Sequence, residues 1–90
     1  MKKFKKAAAL KYEQGKDKAP KLSAKGKGLI AEKIIKKAQE HGVFIKEDPD
    51  LVEVLSTLDL YEEIPEYLYQ AVADILIEIY KLNNSVKNNK

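Results

Sequence analysis

The chain has 90 residues, 44% hydrophobic and 34% charged, which suffices for one small core. No apolar run approaches the roughly 20 residues of a membrane span. The Lys-rich start lacks the apolar stretch of a secretory signal, and the absence of cysteine excludes disulfides, thiolate metal sites and cysteine nucleophiles.

All 17 basic residues are lysine, and they are unevenly placed. Ten fall within residues 1–27 against Glu13 and Asp17, whereas residues 28–90 hold seven lysines against twelve acids. A basic front and an acidic back imply an anionic partner for the front, or attraction between the halves. Lysine lacks the bidentate fork of arginine, which favours loose attraction over base reading.

In chain order, residues 4–12 are ambiguous. Ala, Lys and Leu favour helix, yet Lys6, Ala8, Leu10 and Tyr12 alternate with Lys5, Ala7, Ala9 and Lys11 as a strand would. Residues 13–19 read as a turn around Gly15 and Asp17, and 20–24 as a second short strand. Residues 27–41 read as a helix, with Leu29, Ile30, Ile34, Ile35 and Ala38 as its buried face and Gly42 after its end. Val43-Phe44-Ile45 is a β-type run. Asp48 then caps a third helix beginning at Pro49, with Leu51, Val52, Val54, Leu55 and Leu58 apolar. Residues 59–64 connect to a last helix over 65–82, whose stripe is Leu68, Val72, Ile75, Leu76 and Ile79. The polar tail 83–90 has too little apolar surface to pack and reads as disordered, so the domain is placed at 1–82.

Few constellations carry chemistry. Gly26-Lys27-Gly28-Leu29-Ile30-Ala31 fits G-x-G-x-x-A at a helix start, with Glu47 and Asp48 about twenty residues on. A dinucleotide fold needs more parallel strands than this chain can supply, so the glycines read as a tight strand-to-helix turn. His41 lacks a nucleophile and an orienting partner in any motif, and fits the negative end of a helix dipole. Asp48, Asp50 and Glu53 lack the spacing and central glycine of a calcium loop, and read as capping and dipole residues. No catalytic residue, metal or cofactor is expected. The lysines with Phe4 and Tyr12 leave a nucleic-acid-binding protein as the alternative reading.

Three blocks of sequence carry a resemblance. They are Ala9-Leu10-Lys11-Tyr12 with Ala19-Pro20-Lys21-Leu22-Ser23-Ala24-Lys25-Gly26; Ile30-Ala31…Ile34 with Gly42-Val43-Phe44-Ile45-Lys46-Glu47-Asp48-Pro49; and Glu62-Glu63-Ile64-Pro65-Glu66-Tyr67-Leu68-Tyr69-Gln70-Ala71-Val72-Ala73. In order and spacing the chain resembles the C-terminal cytoplasmic domain of the FlhB/YscU export-switch family, closest to its flagellar branch. The resemblance covers about residues 7–82. It implies a domain beneath the type III export gate, acting in substrate admission and in the switch from rod–hook to filament substrates. The implied partners are export-gate proteins, export substrates and a hook-length control protein. Two departures stand out. The family's membrane portion is missing, which reads as a stand-alone version of the domain. The Asn-Pro-Thr-His autocleavage motif is replaced by Lys2-Lys3-Phe4-Lys5, and no Asn precedes Asn83.

The resemblance favours strand for the front. The expected fold is a small α+β or α/β domain, a short mixed sheet wrapped by helices in the order ββαβαα, with strands at 5–12, 20–24 and 43–46. The expected function is a non-enzymatic interaction module of the flagellar export apparatus, cytoplasmic and peripheral to the inner membrane. Lys21, Lys25, Lys27, Glu47, Asp48 and Asp50 are the expected partner-binding residues. The family strand that precedes the cleavage motif has no counterpart here. The sheet should therefore present an edge open to a strand from a membrane-bound relative.

Overall fold

The computed structural model describes residues 5–88, with side chains to residue 83. Strands β1 (Lys6–Lys11) and β2 (Lys21–Lys27) form an antiparallel hairpin, followed by helices α1 (Leu29–Glu40), α2 (Pro49–Leu55) and α3 (Tyr69–Asn88). A single 3₁₀ turn, Glu66–Leu68, leads into α3. This is an α+β domain.

The front resolves as strand. Residues 13–17 form the turn, with Gly15 at φ 87° and the Asp17 carboxylate accepting from the Glu13 N–H at 2.8 Å. The register pairs Ala9 with Ala24 but Leu10 with Leu22, so Ser23 is an extra residue, a β-bulge. Its hydroxyl donates to the Ala9 carbonyl at 3.2 Å. The bulge sets Leu22 opposite Leu10, and Leu22 is fully buried.

The hairpin lies between helices. On one side Leu22 joins Ala19, Leu51, Leu55, Leu58, Ile64, Leu68 and Val72 in the core, with Ala8 and Leu10 packed against them. α1 covers Ala7 and Gly26 on the other. A Cβ on Gly26 would overlap the Ile30 side chain, so glycine permits the close approach. Gly28, at φ 62°, makes the turn from strand into helix.

Three expectations are corrected. Residues 43–46 form no strand, so the sheet is two-stranded and antiparallel rather than mixed. A strand exists only through its ladder, and no neighbouring strand among the described residues supplies one. The buried face of α1 also differs. Ala31 is fully buried, whereas Leu29 is 74% and Ile30 59% exposed. Only a small side chain fits where the helix meets the sheet. Finally, α3 does not stop at Leu82 but continues to Asn88, because Asn is merely a weak helix former and not a breaker.

The connector between α2 and α3 occupies the outer edge of β2. The Leu22 N–H donates to the Glu62 carbonyl at 3.0 Å and the Ile64 N–H to the Pro20 carbonyl at 2.9 Å, around an isolated Lys21–Glu63 bridge. The outer edge of β1 is paired with no strand among the described residues.

Candidate functional site

The end of the hairpin that carries its turn meets the start of α3 in an apolar groove of about 170 Å³. Tyr12 follows β1, Lys18, Ala19 and Pro20 lead into β2, and Ile64 comes from the connector. Tyr69, Val72, Ala73 and Leu76 complete it from α3. Their spacing of three, four and seven residues puts all four on one helical face. Buried Ala19, Ile64 and Val72 form the floor. Half-open Tyr12 and Tyr69 form the walls, 38% and 45% exposed. The hollow exists because Ala19, Pro20 and Ala73 are small where larger side chains would fill it.

A second hollow, of about 260 Å³, lies among Lys46, Asp48, Ala71, Asp74, Ile75 and Glu78. Its polar groups are already engaged. Lys46 Nζ meets Glu78 Oε2 at 3.2 Å, Gln70 Nε2 donates to Asp74 Oδ1 at 3.0 Å, and Asp48 Oδ1 accepts from the Leu51 N–H at 3.1 Å. No group of acids and His among the described residues is arranged to hold a metal ion.

The six residues expected to bind partners do not form one cluster. Asp48 is the N-cap of α2, with Asp50 exposed in its first turn. Lys25 reaches the other end of α2, where its Nζ donates to the carbonyls of Ser56 at 3.2 Å and Leu58 at 2.6 Å. A cation suits the carbonyl-rich end of a helix. Lys21 is half-buried at the bridge to Glu63, while Lys27 and Glu47 are exposed. The G-x-G-x-x-A pattern is backbone geometry, with Ala31 fully buried. His41 stands exposed at the end of α1, its backbone N–H bonded to the Lys37 carbonyl. Sequence reasoning did not find the groove. Its signal was the row Tyr69, Val72, Ala73 and Leu76, which shares Val72 and Leu76 with the main stripe of α3.

The model of the FlhB HrpN YscU SpaS family matches residues 5–79. The chain belongs to this family. The uncharacterized protein YlqH of Bacillus subtilis is 52% identical over 87 residues, spanning 97% of this chain and 94% of YlqH. The flagellar biosynthetic protein FlhB of Aquifex aeolicus is 42% identical over 78% of this chain, and that of Salmonella typhimurium 40% over 84%. In both cases the match spans 20% of FlhB, so this chain corresponds to about a fifth of those relatives. The crystal structure of the PscU C-terminal domain superposes with a TM-score of 0.77 at 24% identity, covering 82% of this chain and 95% of that one. It shares the α+β fold. Among the described residues no helix is long and apolar enough to cross a membrane.

Proposed function

We propose that this chain is a non-enzymatic docking module of the flagellar type III export apparatus, and that the groove between Tyr12 and Tyr69 receives an apolar side chain of an export substrate. The supporting observation is the groove itself, an open apolar hollow with a buried floor and aromatic walls. Such a site suits an unfolded segment, which offers an isolated anchor side chain rather than a shaped surface. Lys18 at the rim adds a positive charge beside it. Exposed Glu47 and Asp50 are left for contacts with gate proteins. The test is titration of the labelled chain with purified early (rod–hook) export subunits, followed by NMR. Shifts centred on Ala19, Val72 and Ala73 support the reading, and shifts confined to other surfaces refute it.

The free edge of β1 supports a second element of the same reading. β2 has its connector, but among the described residues no strand pairs with the outer side of β1. Val43-Phe44-Ile45 is a β-type run with no ladder among the described residues, Val43 being 57% and Ile45 42% exposed. A strand contributed by a membrane-bound relative would pair with the outer edge of β1. The chain would then replace, or compete with, the corresponding part of that relative. Amide exchange measures this directly: protection gained over 6–11 on mixing with the relative supports it, and unchanged exchange in a formed complex rules it out.

A further inference from the structure

The end of the hairpin opposite the groove meets the start of α1 in a corner of unusual composition. The Gly28 N–H donates to the Lys5 carbonyl at 2.8 Å, and Lys6 pairs with Lys27 in the sheet register. Lys5, Lys27 and Leu29 are therefore neighbours. Leu29 is 74% exposed and Ile30 59% exposed. At 100° per residue, Leu29, Lys33 and Lys36 fall within about 60° of arc, and Lys37 lies beside the line of Ile30. All three lysines are exposed. Glu32 and Glu40 offset part of this charge, and Lys6 is held by Glu53 at 2.8 Å. Five lysines against two acids still leave the corner positive.

We infer that this corner seats the domain on an anionic membrane surface, with Leu29 and Ile30 entering the boundary between headgroups and acyl chains. The chemistry is complementary on both counts. Lysines around the patch meet lipid phosphates, and the exposed aliphatic pair gains by leaving water. Nucleic acid would use the lysines but offers nothing to Leu29 and Ile30. Among the described residues, Tyr12 and Tyr69, which could stack on bases, wall the groove at the other end of the hairpin. Six residues of β1 separate the two ends by about 17 Å. Seating this corner therefore leaves the groove facing away from the bilayer.

The experiment is sedimentation of the purified chain with vesicles of phosphatidylcholine alone, or of phosphatidylcholine mixed with phosphatidylglycerol. Binding is expected only to the anionic vesicles, and is expected to fall steeply with added salt. Lys27→Glu is expected to weaken it at least fivefold, and Leu29→Ser several-fold, with unchanged circular dichroism. Lys16→Glu removes the same charge at the hairpin turn and is expected to have little effect. Absence of binding to anionic vesicles overturns the inference. So does a loss on Lys16→Glu equal to that on Lys27→Glu, which would make net charge the cause. Indifference to Leu29→Ser, together with tighter binding to duplex DNA than to vesicles, would assign the lysines to nucleic acid.

Discussion

Lys25 closes the end of α2 by placing its ammonium 2.6 Å from the Leu58 carbonyl oxygen. The same nitrogen reaches the Ser56 carbonyl, so one β2 side chain satisfies two acceptors just beyond α2. These are charge-assisted bonds in a half-buried place, where a lost donor leaves carbonyls unpaired. Lys25→Met is expected to destabilise the fold by about 1.5–3 kcal/mol. Thermal unfolding checks this, with exposed Lys27→Met expected to be near neutral. Equal melting temperatures for the two variants would remove Lys25 from the structural account.

The contact of Gly26 with Ile30 makes a second prediction. An alanine Cβ at 26 would overlap the Ile30 side chain, and the helix would have to move away from the sheet. Gly26→Ala is expected to cost about 1–3 kcal/mol. Adding Ile30→Ala should recover part of that loss, because Ile30 is 59% exposed and itself contributes little burial. A double-mutant cycle measures the coupling. Additive losses would show that the clash is relieved elsewhere.

This pair also marks how far the sequence could be read. The glycine pattern, the Asp48 cap and the stripe of α3 are local signals, and each appears where local chemistry placed it. The orientation of α1 is not local. Apolarity alone put Leu29 and Ile30 inward, but Ala31 is the residue fully buried, and Ile30 lies against Gly26 while staying 59% exposed. Likewise Val43-Phe44-Ile45 has strand composition, and composition does not supply a neighbouring strand. Lys25 and Asp48 stood out as charged residues near turns. Asp48 caps the start of α2 as its local sequence indicates, whereas the role of Lys25 at the other end is visible only once β2 and α2 are adjacent. The groove depends on small residues from two separated segments, Ala19-Pro20 and Ala73, which no spacing rule connects.

Tyr61 has φ 69°, the left-handed region, although it is not glycine. Its N–H bonds to the Leu22 carbonyl at 2.6 Å, which fixes the connector on β2 and holds the strained backbone in place. The side chain is 72% exposed, so little packing is lost on replacement. Asn tolerates this region better than an aromatic residue. Tyr61→Asn is expected to raise stability by about 0.5–1 kcal/mol, measured by denaturant midpoint at constant slope. A lower midpoint would show that the exposed ring contributes more than its exposure suggests.

Ala73 offers a way to separate the groove from the fold. It lies half-buried on α3, between the floor residue Val72 and the outer wall. Alanine and leucine are both good helix formers, so Ala73→Leu leaves the helix intact and fills the hollow. The expected stability change is under about 1 kcal/mol, while binding of export subunits should fall at least tenfold. Ala73→Gly tests the opposite direction. It enlarges the groove at a helix cost of about 1 kcal/mol, and binding should persist. If Ala73→Leu binds as tightly as the native chain, the substrate does not enter between Tyr12 and Tyr69. If Ala73→Gly alone loses binding, the helix surface rather than the hollow is what the substrate meets.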